Sequence, residues 1–557
     1  MSAPQPDKVQ LNTGRPFSPT APNLLHAAAE DYGSREFLVL NDARLTFVDV
    51  ERRSAQWAKG LLALGIGKGS RVGLLMPNGP DWVTAFFASA RVGALTAGLS
   101  TFYQAPEISW GLRHNDVDTL LVSSRYLNND YIERLERAVP ELAGQKSPHL
   151  YLPSHPYLRR IVVWGECDRP WALKGPETLT YAASGKPQID DEFLGRIEGC
   201  VAPADVLVIV CTSGSAAEPK AVVHTHGAAM RAVHLFTHYI NLRANDRSYS
   251  GQPFFWIGGL NMTLLPSIFM GACIVFSDTP APADIAAVVL REKVTRLSLW
   301  PAQVMALIEY AKSKDIRYDS IRVGIGQPRD ARGNTIPPDR RHAGEMGMTE
   351  SFGMHSIEQQ DSAAPPGKAR NWGRRLPGVE RRVVDPQTGC ELPRGQIGEL
   401  QIRGHTLMQG YYKREREEAF LRDGFFATGD LASLDEDDYV YFHGRMSEMI
   451  KTAGANVSPA EVERALLALA GVREAMVFGV NDAVKGEIVA ACVVPKEREV
   501  LDPDRLRESL RSELSSYKVP REIRVLAYED VPRTGSLKPS KQKIKALLFG
   551  AEPRLKG

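Results

Sequence analysis

The sequence has little of what marks a secreted, membrane-spanning or nucleic-acid-binding protein. Its 557 residues include only 6 cysteines, none at C-x-x-C or zinc-type spacing, so reduced structural thiols are expected. The N-terminus carries no signal-peptide pattern, and no apolar run approaches the ~20 residues that a membrane span needs. Lysine and arginine number 68 against 66 acids, a net charge of +2, which excludes nucleic-acid binding through bulk charge. A cytoplasmic enzyme or small-ligand binding protein is expected.

The composition is that of a globular protein, with 43% hydrophobic and 24% charged residues. Up to about residue 375, helical and strand patterns alternate, which predicts an α/β fold of doubly wound layers around largely parallel sheets. The predicted units are a helix 51–64 with a strand 71–76, a helix 81–91, a helix 108–113 with a strand 119–123, and a helix 282–292 with a strand 296–300.

The pattern changes after residue 375. Short strands separated by Gly, Pro and Asp turns predict an antiparallel, barrel-like subdomain at about 375–445. A new α/β pattern then begins, which predicts a small α+β C-terminal domain over 446–557. The chain is therefore expected to divide into a large N-terminal domain, 1–445, and a small mobile cap, with a hinge near Arg445–Ser447. The predicted strands and helices of this second half are 379–385, 399–403, 438–443, 460–469 (helix), 474–480, 488–494, 503–514 (helix) and 523–526.

A candidate phosphate loop follows the apolar run 205–211, which predicts a buried strand. The loop reads T-S-G-S-A-A-E-P-K. Hydroxyls, a glycine and a lysine after a strand suit a polyphosphate, because backbone N–H groups and hydroxyls surround the oxygens and the lysine neutralises charge. The candidate contacts are Thr212, Ser213, Gly214, Ser215 and Lys220. Taken alone, a short segment of this kind is usually an ordinary Ser/Gly turn.

With its surroundings, the loop resembles the T-S-G-T-T-G-x-P-K-G motif of the adenylate-forming superfamily, which comprises acyl-CoA synthetases, peptide-synthetase adenylation domains and luciferases. The acyl-CoA synthetases are the nearest of these. Further motifs of the superfamily follow in order over nearly the whole chain. They are Leu45-Thr46-Phe47 with 65–77, the aromatic segment 253–259, Gly347-Met348-Thr349-Glu350, Thr428-Gly429-Asp430, Gly444-Arg445 with Ile450-Lys451, and Pro532-Arg533-Thr534 with Lys538.

The resemblance implies a two-step reaction. A carboxylate attacks the α-phosphorus of ATP to give an acyl-adenylate and pyrophosphate, and a thiol, usually of coenzyme A, then displaces AMP. By resemblance, Thr349 and Glu350 lie beside the α-phosphate, with Glu350 as a ligand of Mg²⁺. Lys538 is the lysine that reaches in from the small domain to stabilise the adenylation transition state. The superfamily rotates that domain between the two half-reactions.

The remaining site residues are also assigned by resemblance. Asp430 would accept hydrogen bonds from the ribose hydroxyls, with Arg445 assisting. Other nucleotide-side positions are Gly326, Gln327, Met346 and Gly347; the acyl pocket is assigned to Phe254, Phe255, Trp256 and Gly258, the coenzyme A channel to Ala453 and Gly454, and the hinge to Ser447. The aromatic run predicts a bulky apolar acyl group, with plain core packing as the alternative.

The chain departs from the superfamily mainly where ATP is handled. Ala216, Ala217 and Ala221 replace a threonine and two glycines of the phosphate loop, and Met346 replaces an adenine-stacking aromatic residue. Each hydrogen bond lost to a charged group costs roughly 1.5–3 kcal/mol, so pyrophosphate binding should be weaker. Trp256 stands where many members have histidine, and segment 329–341 lacks the expected amphipathic helix.

These departures leave alternatives to a complete acyl-CoA synthetase. The protein could catalyse only the thioester half-reaction on an acyl-adenylate supplied by a separate adenylating enzyme. It could instead load a carrier-protein thiol, or serve as an inactive nucleotide sensor, although Asp430, Arg445 and Lys538 argue against inactivity. The expected partners are a hydrophobic carboxylic acid and coenzyme A, with no nucleic acid and no membrane span. Dimers are common among such enzymes, so a homodimer is the corresponding expectation.

Overall fold

The structure, a computed structural model, describes residues 9–181, 184–186, 188–212, 219–325, 328–342, 344–446, 450–457, 459–497, 499–533 and 539–550. No described helix is both long and apolar enough to cross a membrane. All six cysteines are described, and each is a free thiol. We call the described residues up to 446 the body and those from 450 onward the small domain.

The helices occur throughout both parts. They are α1 Ala21–Tyr32, α2 Phe47–Ala63, α3 Pro80–Arg91, α4 Ala105–His114, α5 Tyr131–Ala138, α6 Gly175–Tyr181, α7 Asp191–Gly199, α8 His226–Thr237, α9 Ile257–Gly259, α10 Leu265–Met270, α11 Pro282–Glu292, α12 Pro301–Ser313, α13 Pro459–Ala468, α14 Pro503–Glu513 and α15 Lys541–Phe549.

The strands fall into several sheets. They are β1 Glu36–Leu40, β2 Ala43–Thr46, β3 Arg71–Leu75, β4 Leu95–Gly98, β5 Thr119–Ser123, β6 Arg125–Tyr126, β7 Asn129–Asp130, β8 Arg160–Trp164, β9 Ala172–Lys174, β10 Val206–Thr212, β11 Lys220–Thr225, β12 Arg247–Ser250, β13 Cys273–Phe276, β14 Arg296–Ser298, β15 Met346–Met348, β16 Gly353–Ile357, β17 Arg374–Arg375, β18 Val379–Val384, β19 Gly398–Gly404, β20 Gly410–Tyr411, β21 Phe426–Leu434, β22 Val440–Arg445, β23 Ile450–Thr452, β24 Ala455–Val457, β25 Val472–Asp482, β26 Gly486–Pro495 and β27 Glu522–Val525.

Two largely parallel sheets form most of the body. One has eight strands in the order β20-β11-β10-β4-β3-β5-β8-β9, parallel from β10 to β9. The other has five in the order β14-β12-β13-β1-β2, with only β2 antiparallel. Every residue of α3 except Asp81 is buried, so this helix lies within the shared core. Strands buried on both faces read as continuous apolar runs, and this confirms the α/β fold expected from the alternating pattern.

The antiparallel part of the body begins after residue 375. Strands β18, β19, β21 and β22 pair in chain order, and their apolar faces form a separate core with Val222 of β11. The antiparallel character predicted for 375–445 is confirmed. Segment 328–342 contains no α-helix among its described residues, only a single 3₁₀ turn, Pro338–Arg340, as its two consecutive prolines favour.

The small domain has a core of its own. Its five strands have the order β24-β23-β26-β25 with β27 paired to β26, and α13, α14 and α15 cover the sheet. The long β25–β26 hairpin exceeds the predicted strands at both ends, because pairing between the two strands continues through the more polar residues of its rim. The described residues therefore form a large α/β body, which includes an antiparallel subdomain, and a small domain whose mainly antiparallel sheet and helices give it an α+β fold.

Buried histidines of the body make the free energy of unfolding depend on pH in the acid range. Burial lowers the pKa of His224, His226 and His234 to about 4 and that of His355 to about 3, from an ordinary value of 6.5. Above pH 6.5 both states are neutral and stability is full; below it the unfolded chain binds protons that the folded chain cannot. We expect the free energy of unfolding to fall by about 2 kcal/mol per imidazole between pH 6.5 and 5 in urea titrations.

His26 provides the control for this prediction. The His26 imidazolium donates hydrogen bonds to the carboxylates of Glu198 and Glu51, which raise its pKa to about 9, so its contribution to stability is full below pH 6.5 and is lost as the pH rises through 9. His226→Asn should flatten the slope between pH 6.5 and 5, whereas His26→Asn should leave that slope unchanged. An unaltered slope in His226→Asn would contradict the assignment.

Candidate active site between the body and the small domain

A cavity of about 320 Å³ lies where the body meets the small domain, and three groups of residues line it. The first group comes from the ends of β10 and β15: Thr212, Gly347, Met348 and Thr349. The second lies around α9 and the start of α12: Trp256, Ile257, Gly258, Asn261, Met262 and Trp300. The third belongs to the small domain: Gly454, Ala455, Tyr517 and Lys518.

The candidate phosphate loop connects the two strands of a β-hairpin. Thr212 closes β10 and lines the cavity, and Lys220 opens β11 directly opposite it. The Lys220 ammonium lies 4.7 Å from the centre of the Tyr411 ring, a cation–π contact that holds the lysine at this edge of the sheet. Ala221 is buried within β11, so the superfamily's closing glycine position lies inside a regular strand here.

Thr349 and Glu350 form a 3₁₀ turn after β15. The buried His224 ring lies behind this turn, with its Nε2 2.7 Å from the Thr349 carbonyl oxygen, so a neutral imidazole donates there. Because burial lowers the pKa of His224 to about 4, the ring stays neutral at ordinary pH. The buried Glu350 carboxylate accepts a 2.8 Å hydrogen bond from the Tyr411 hydroxyl. The turn is therefore fixed from two sides.

Asp430 and Arg445 are cross-strand neighbours in the antiparallel sheet. They pair in the register between β21 and β22, and the Asp430 N–H donates to the Thr428 hydroxyl over 3.1 Å. Asp430 is buried within a strand, which excludes the simple turn aspartate that Gly429 alone would favour. The described lining of the cavity does not include Asp430.

The cavity lining includes none of Met346, Phe254 and Phe255, which the resemblance assigned to the nucleotide side and the acyl pocket. Met346 is buried in the hydrophobic cluster of the antiparallel subdomain. Phe254 is fully buried against Trp82, with ring centres 5.3 Å apart. Phe255 is also buried, and its ring centre lies 5.3 Å from that of Trp256, which lines the cavity.

Trp256, Gly258 and Met262 form the apolar wall of the cavity. A side chain at Gly258 would collide with Gln252, since a Cβ there would lie 2.2 Å from the Gln252 carboxamide oxygen. The Gln252 amide nitrogen in turn contacts the Ser298 hydroxyl at 3.4 Å. This wall is the candidate acyl pocket.

The hairpin tip Ala453–Gly454 of the small domain contacts the body at Trp300. Both residues have positive φ, +48° and +83°, so the tip is a tight left-handed turn. A Cβ at Gly454 would lie 1.8 Å from the Trp300 ring, so only glycine permits this approach. Gly454 lines the cavity, whereas Ala453 is held by a 2.9 Å hydrogen bond from its N–H to the Lys485 carbonyl.

A buried ion-pair cluster joins the two domains beside the cavity. Lys518 of the small domain donates at 2.8 Å to Glu107, on the first turn of α4, and at 2.8 Å to Glu461 of α13. The Ser515 hydroxyl contacts both oxygens of Glu107, at 2.9 and 2.8 Å. Burial acts to lower the pKa of Lys518, but Tyr517, Glu107 and Glu461 outweigh it and raise that pKa above its ordinary value. Lys518 is therefore a fixed cation and no general base.

Aromatic rings continue this interface. Tyr517 of the small domain lies edge-on to Trp256, with ring centres 6.0 Å apart, and also contacts Phe102 at 5.9 Å. Trp256 contacts Trp300 on its other side at 6.4 Å. Trp256, which stands where many members of the superfamily have histidine, thus takes part in the contact between the domains.

Several predicted site residues fall outside the described residues. These are Ser213, Gly214, Ser215, Gly326, Gln327, Ser447 and Lys538. Of the predicted residues that are described, the cavity brings together Thr212, Gly347, Thr349, Trp256, Gly258 and Gly454.

Sequence reasoning did not find Glu107, Asn261, Trp300 or Lys518. Glu107 reads as an ordinary first-turn acid that accepts the Gln104 N–H in a capping box, and Lys518 lies 411 residues further along the chain. No local pattern connects two such positions.

One residue of the site suits Mg²⁺. Among the described residues, no group of three or more His, Cys, Asp or Glu side chains is arranged to hold a metal. Magnesium is usually held by one or two carboxylates together with substrate phosphates, so a single buried carboxylate is a sufficient protein contribution. Glu350, fixed by Tyr411 near the cavity's phosphate side, fits that requirement.

Comparisons with known proteins identify the family. A family model described as AMP-binding enzyme matches residues 25–412, and one described as AMP-binding enzyme C-terminal domain matches 461–538. The chain is 28% identical to the mitochondrial medium-chain acyl-CoA ligase ACSF2 of Danio rerio, over 95% of this chain and 88% of that protein. It is also 28% identical to feruloyl-CoA synthase of an Amycolatopsis species, over 90% of this chain and 93% of that protein.

A solved structure shares the fold. O-Succinylbenzoate CoA synthetase from Bacillus subtilis, bound with the product analogue OSB-NCoA, superposes with a TM-score of 0.70 at 22% identity, covering 94% of this chain and 98% of that one. Since the AMP-binding enzyme model spans more than half of the chain, the protein belongs to the AMP-binding, adenylate-forming enzyme family, close to the acyl-CoA synthetases, and is an ATP-dependent acid–thiol ligase.

Proposed function

We propose that the protein is a complete acyl-CoA synthetase for a bulky hydrophobic carboxylic acid. The observation that supports this is the composition of one cavity, which joins a phosphate-side turn at Thr349, an apolar wall at Trp256 and the hairpin tip at Gly454. An acyl-adenylate needs the first two surfaces and an incoming thiol needs the third. Catalysis is then mainly positioning and stabilisation of phosphoryl charge.

In the first half-reaction, the carboxylate oxygen attacks the α-phosphorus of ATP and pyrophosphate leaves. We assign Lys220, Thr212 and the 213–218 loop to the leaving phosphates, and Thr349 to the α-phosphate. Asp430 and Arg445, paired across two strands, are assigned to the ribose. Mg²⁺, which Glu350 would hold, neutralises phosphate charge when bound. Lys538 is assigned to the transition state of this step.

In the second half-reaction, the thiol attacks the acyl carbonyl and AMP leaves. We assign the domain arrangement described above to this step, because the Gly454 tip reaches the acyl wall. The hinge at Arg445–Ser447 would let the small domain turn away, so that Lys538 serves the first step. The mobile-cap boundary proposed here, residues 446–557, follows the separate core of the small domain.

ATP–pyrophosphate exchange, measured beside coenzyme A-dependent thioester formation over a panel of acids, tests the proposal. Exchange and thioester formation with the same acid are expected, and Lys538→Ala should remove exchange while thioester formation from a synthetic acyl-adenylate persists. Absence of both activities with every acid would contradict the proposal.

A second candidate is favoured by the substituted phosphate loop. Ala216, Ala217 and Ala221 remove a hydroxyl and two glycines from the pyrophosphate contacts, which favours an enzyme that only converts acyl-adenylates made elsewhere. No exchange, together with turnover of synthetic acyl-adenylates, would establish this candidate. Replacing coenzyme A by a phosphopantetheinylated carrier protein in the same assay distinguishes the two thiol acceptors.

Tyr411→Phe should weaken the binding of ATP with Mg²⁺. The variant removes the 2.8 Å hydrogen bond to the Glu350 carboxylate but keeps the ring under Lys220. A hydrogen bond to a charged group contributes about 1.5 kcal/mol or more, so the KM for ATP with Mg²⁺ should rise about 10-fold. Tyr412→Phe, which loses a hydroxyl bonded to Asp116 instead, is the matched control and should leave that KM unchanged. Equal effects of the two variants would contradict the role of Tyr411.

A further inference from the structure

The wall of the acyl pocket contains a carboxamide that lacks hydrogen-bond partners. Asn261 lines the cavity and is 1% exposed, and within the described part of the chain neither its amide nitrogen nor its amide oxygen has a partner. Buried polar atoms are nearly always hydrogen-bonded, and each unsatisfied one costs about 1–3 kcal/mol. An unpartnered carboxamide in the wall of a ligand cavity therefore points to a ligand that completes it.

The backbone around Asn261 is built to place this side chain. Residues Leu260–Leu264 form a π-helical turn, in which the Leu265 N–H donates to the Leu260 carbonyl. Pro266 follows and has no N–H to continue an ordinary helix from Met262. Such turns are rare and are frequent at functional sites, because they displace a side chain from the regular helical position.

The neighbouring strand makes room for the carboxamide without binding it. Gly353, with φ +113°, opens β16, and a Cβ there would lie 2.5 Å from Cγ and Oδ1 of Asn261. The Gly353 carbonyl accepts a hydrogen bond from the Ser351 hydroxyl over 2.6 Å and accepts none from Asn261. The protein thus holds the carboxamide close to its backbone and leaves its polar atoms to the cavity.

The chemistry of the amide selects the ligand group. A carboxamide presents two N–H donors and one oxygen acceptor, so satisfying both atoms needs a group that accepts and donates. The carboxylate of the substrate only accepts, and a ketone only accepts. A hydroxyl does both. The wall also contains Trp256, Ile257, Met262 and Met354, which suit a hydrocarbon skeleton. Gln252 lines the cavity too, but its amide nitrogen already contacts the Ser298 hydroxyl.

We propose that Asn261 is a specificity-determining residue and that the preferred acid is a hydrophobic acid bearing a hydroxyl group on its acyl skeleton. This inference rests on the proposed function, since it takes the Trp256 wall as the acyl pocket. A site with buried polar groups rejects an analogue that leaves them unpaired, so the missing hydroxyl should be costly. The substrate would then come from a reaction whose product is a hydroxylated carboxylic acid.

The test compares acids that differ by one hydroxyl. Suitable pairs are cinnamic with para-hydroxycinnamic acid, benzoic with ortho-hydroxybenzoic acid, and octanoic acid with its β-hydroxy derivative. For each pair, kcat/KM for thioester formation and the affinity of the corresponding acyl-sulfamoyl adenosines, stable mimics of the acyl-adenylate, are measured. In at least one pair we expect the hydroxylated member to be favoured about 10- to 100-fold by both measurements.

Two variants assign that preference to Asn261. Asn261→Leu keeps the volume and removes both polar atoms, so the preference should vanish or reverse. Thr263→Val alters a buried hydroxyl that also lacks a partner among the described residues and lies in the same turn, but outside the cavity lining, so the preference should persist. Because the readout is a ratio of two ligands on one enzyme, a general loss of stability does not change it.

The outcomes separate this inference from the proposed function. Equal treatment of both members of every pair, a preference for the unsubstituted acids, or a preference that survives Asn261→Leu would overturn it. An equal loss for all acids in Asn261→Leu would indicate a contact to the carboxylate and would also overturn it. Discrimination between the acyl-sulfamoyl adenosines without any thioester formation would contradict the proposed function and support the assignment of Asn261.

Discussion

Replacing Gly454 with alanine should slow thioester formation about 100-fold while leaving ATP–pyrophosphate exchange unchanged. An added Cβ would lie 1.8 Å from the Trp300 ring, and φ at this position is +83°, which alanine adopts only at a cost. Overpacking of this kind typically costs up to about 3 kcal/mol, and that much lost from the docked arrangement corresponds to about a hundredfold in rate. Single-turnover reaction of a synthetic acyl-adenylate with coenzyme A measures the effect.

A matched variant separates the collision from backbone strain. Gly486→Ala lies in the same domain at a similar φ of +76°, but the nearest atom to its Cβ would be the Lys451 carbonyl oxygen at 3.7 Å. It should therefore retain the thioester step. Trp300→Ala should restore activity to Gly454→Ala, because it removes the ring that the new methyl group meets. A parallel loss of both half-reactions in Gly454→Ala, or no rescue by Trp300→Ala, would contradict the role of this contact.

The sequence predicted the fold well where the signal is local. The helix 282–292 matches α11 at both ends, since Pro282 suits its first turn and the chain leaves the helix through a left-handed Lys293. The strand 119–123 also matches β5. The motif residues Thr349 and Asp430 could be assigned because short motifs fix residue type and spacing, although their contacts with His224 and Thr428 could not.

What could not be predicted depends on packing between distant segments. Phe254, Phe255 and Trp256 form one aromatic run in the sequence, yet the structure buries the first two in the body and turns only Trp256 to the cavity. The Asn261 carboxamide has room only because residue 353, far along the chain, is a glycine. Neither the direction of a side chain nor a contact across the domain interface leaves a periodic pattern that sequence analysis can detect.

The ion-pair cluster between the domains gives the second large prediction. Glu107→Gln should slow the thioester half-reaction about 30-fold and leave adenylation unchanged or faster. In this variant Lys518 loses the Glu107 carboxylate, which lies beside it only while the small domain is docked on the body. Its other partner, Glu461, belongs to the small domain and stays with Lys518 when that domain moves. Removing one member of a buried charge pair at an interface costs about 2 kcal/mol or more, which corresponds to a factor of about 30.

The choice of glutamine separates docking from the local role of Glu107. Glutamine can still accept the Gln104 N–H, which Glu107 accepts at 3.0 Å, so the capping box of α4 is kept and only the charge is lost. In a Lys518→Met background, Glu107→Gln should slow the thioester half-reaction little further, because the cation that Glu107 pairs with is already absent. Full additivity of the two changes, or an equal loss of pyrophosphate exchange, would show that Glu107 does not act through Lys518. With the expected coupling, one carboxylate of the body would set how long the small domain remains in position for the thiol.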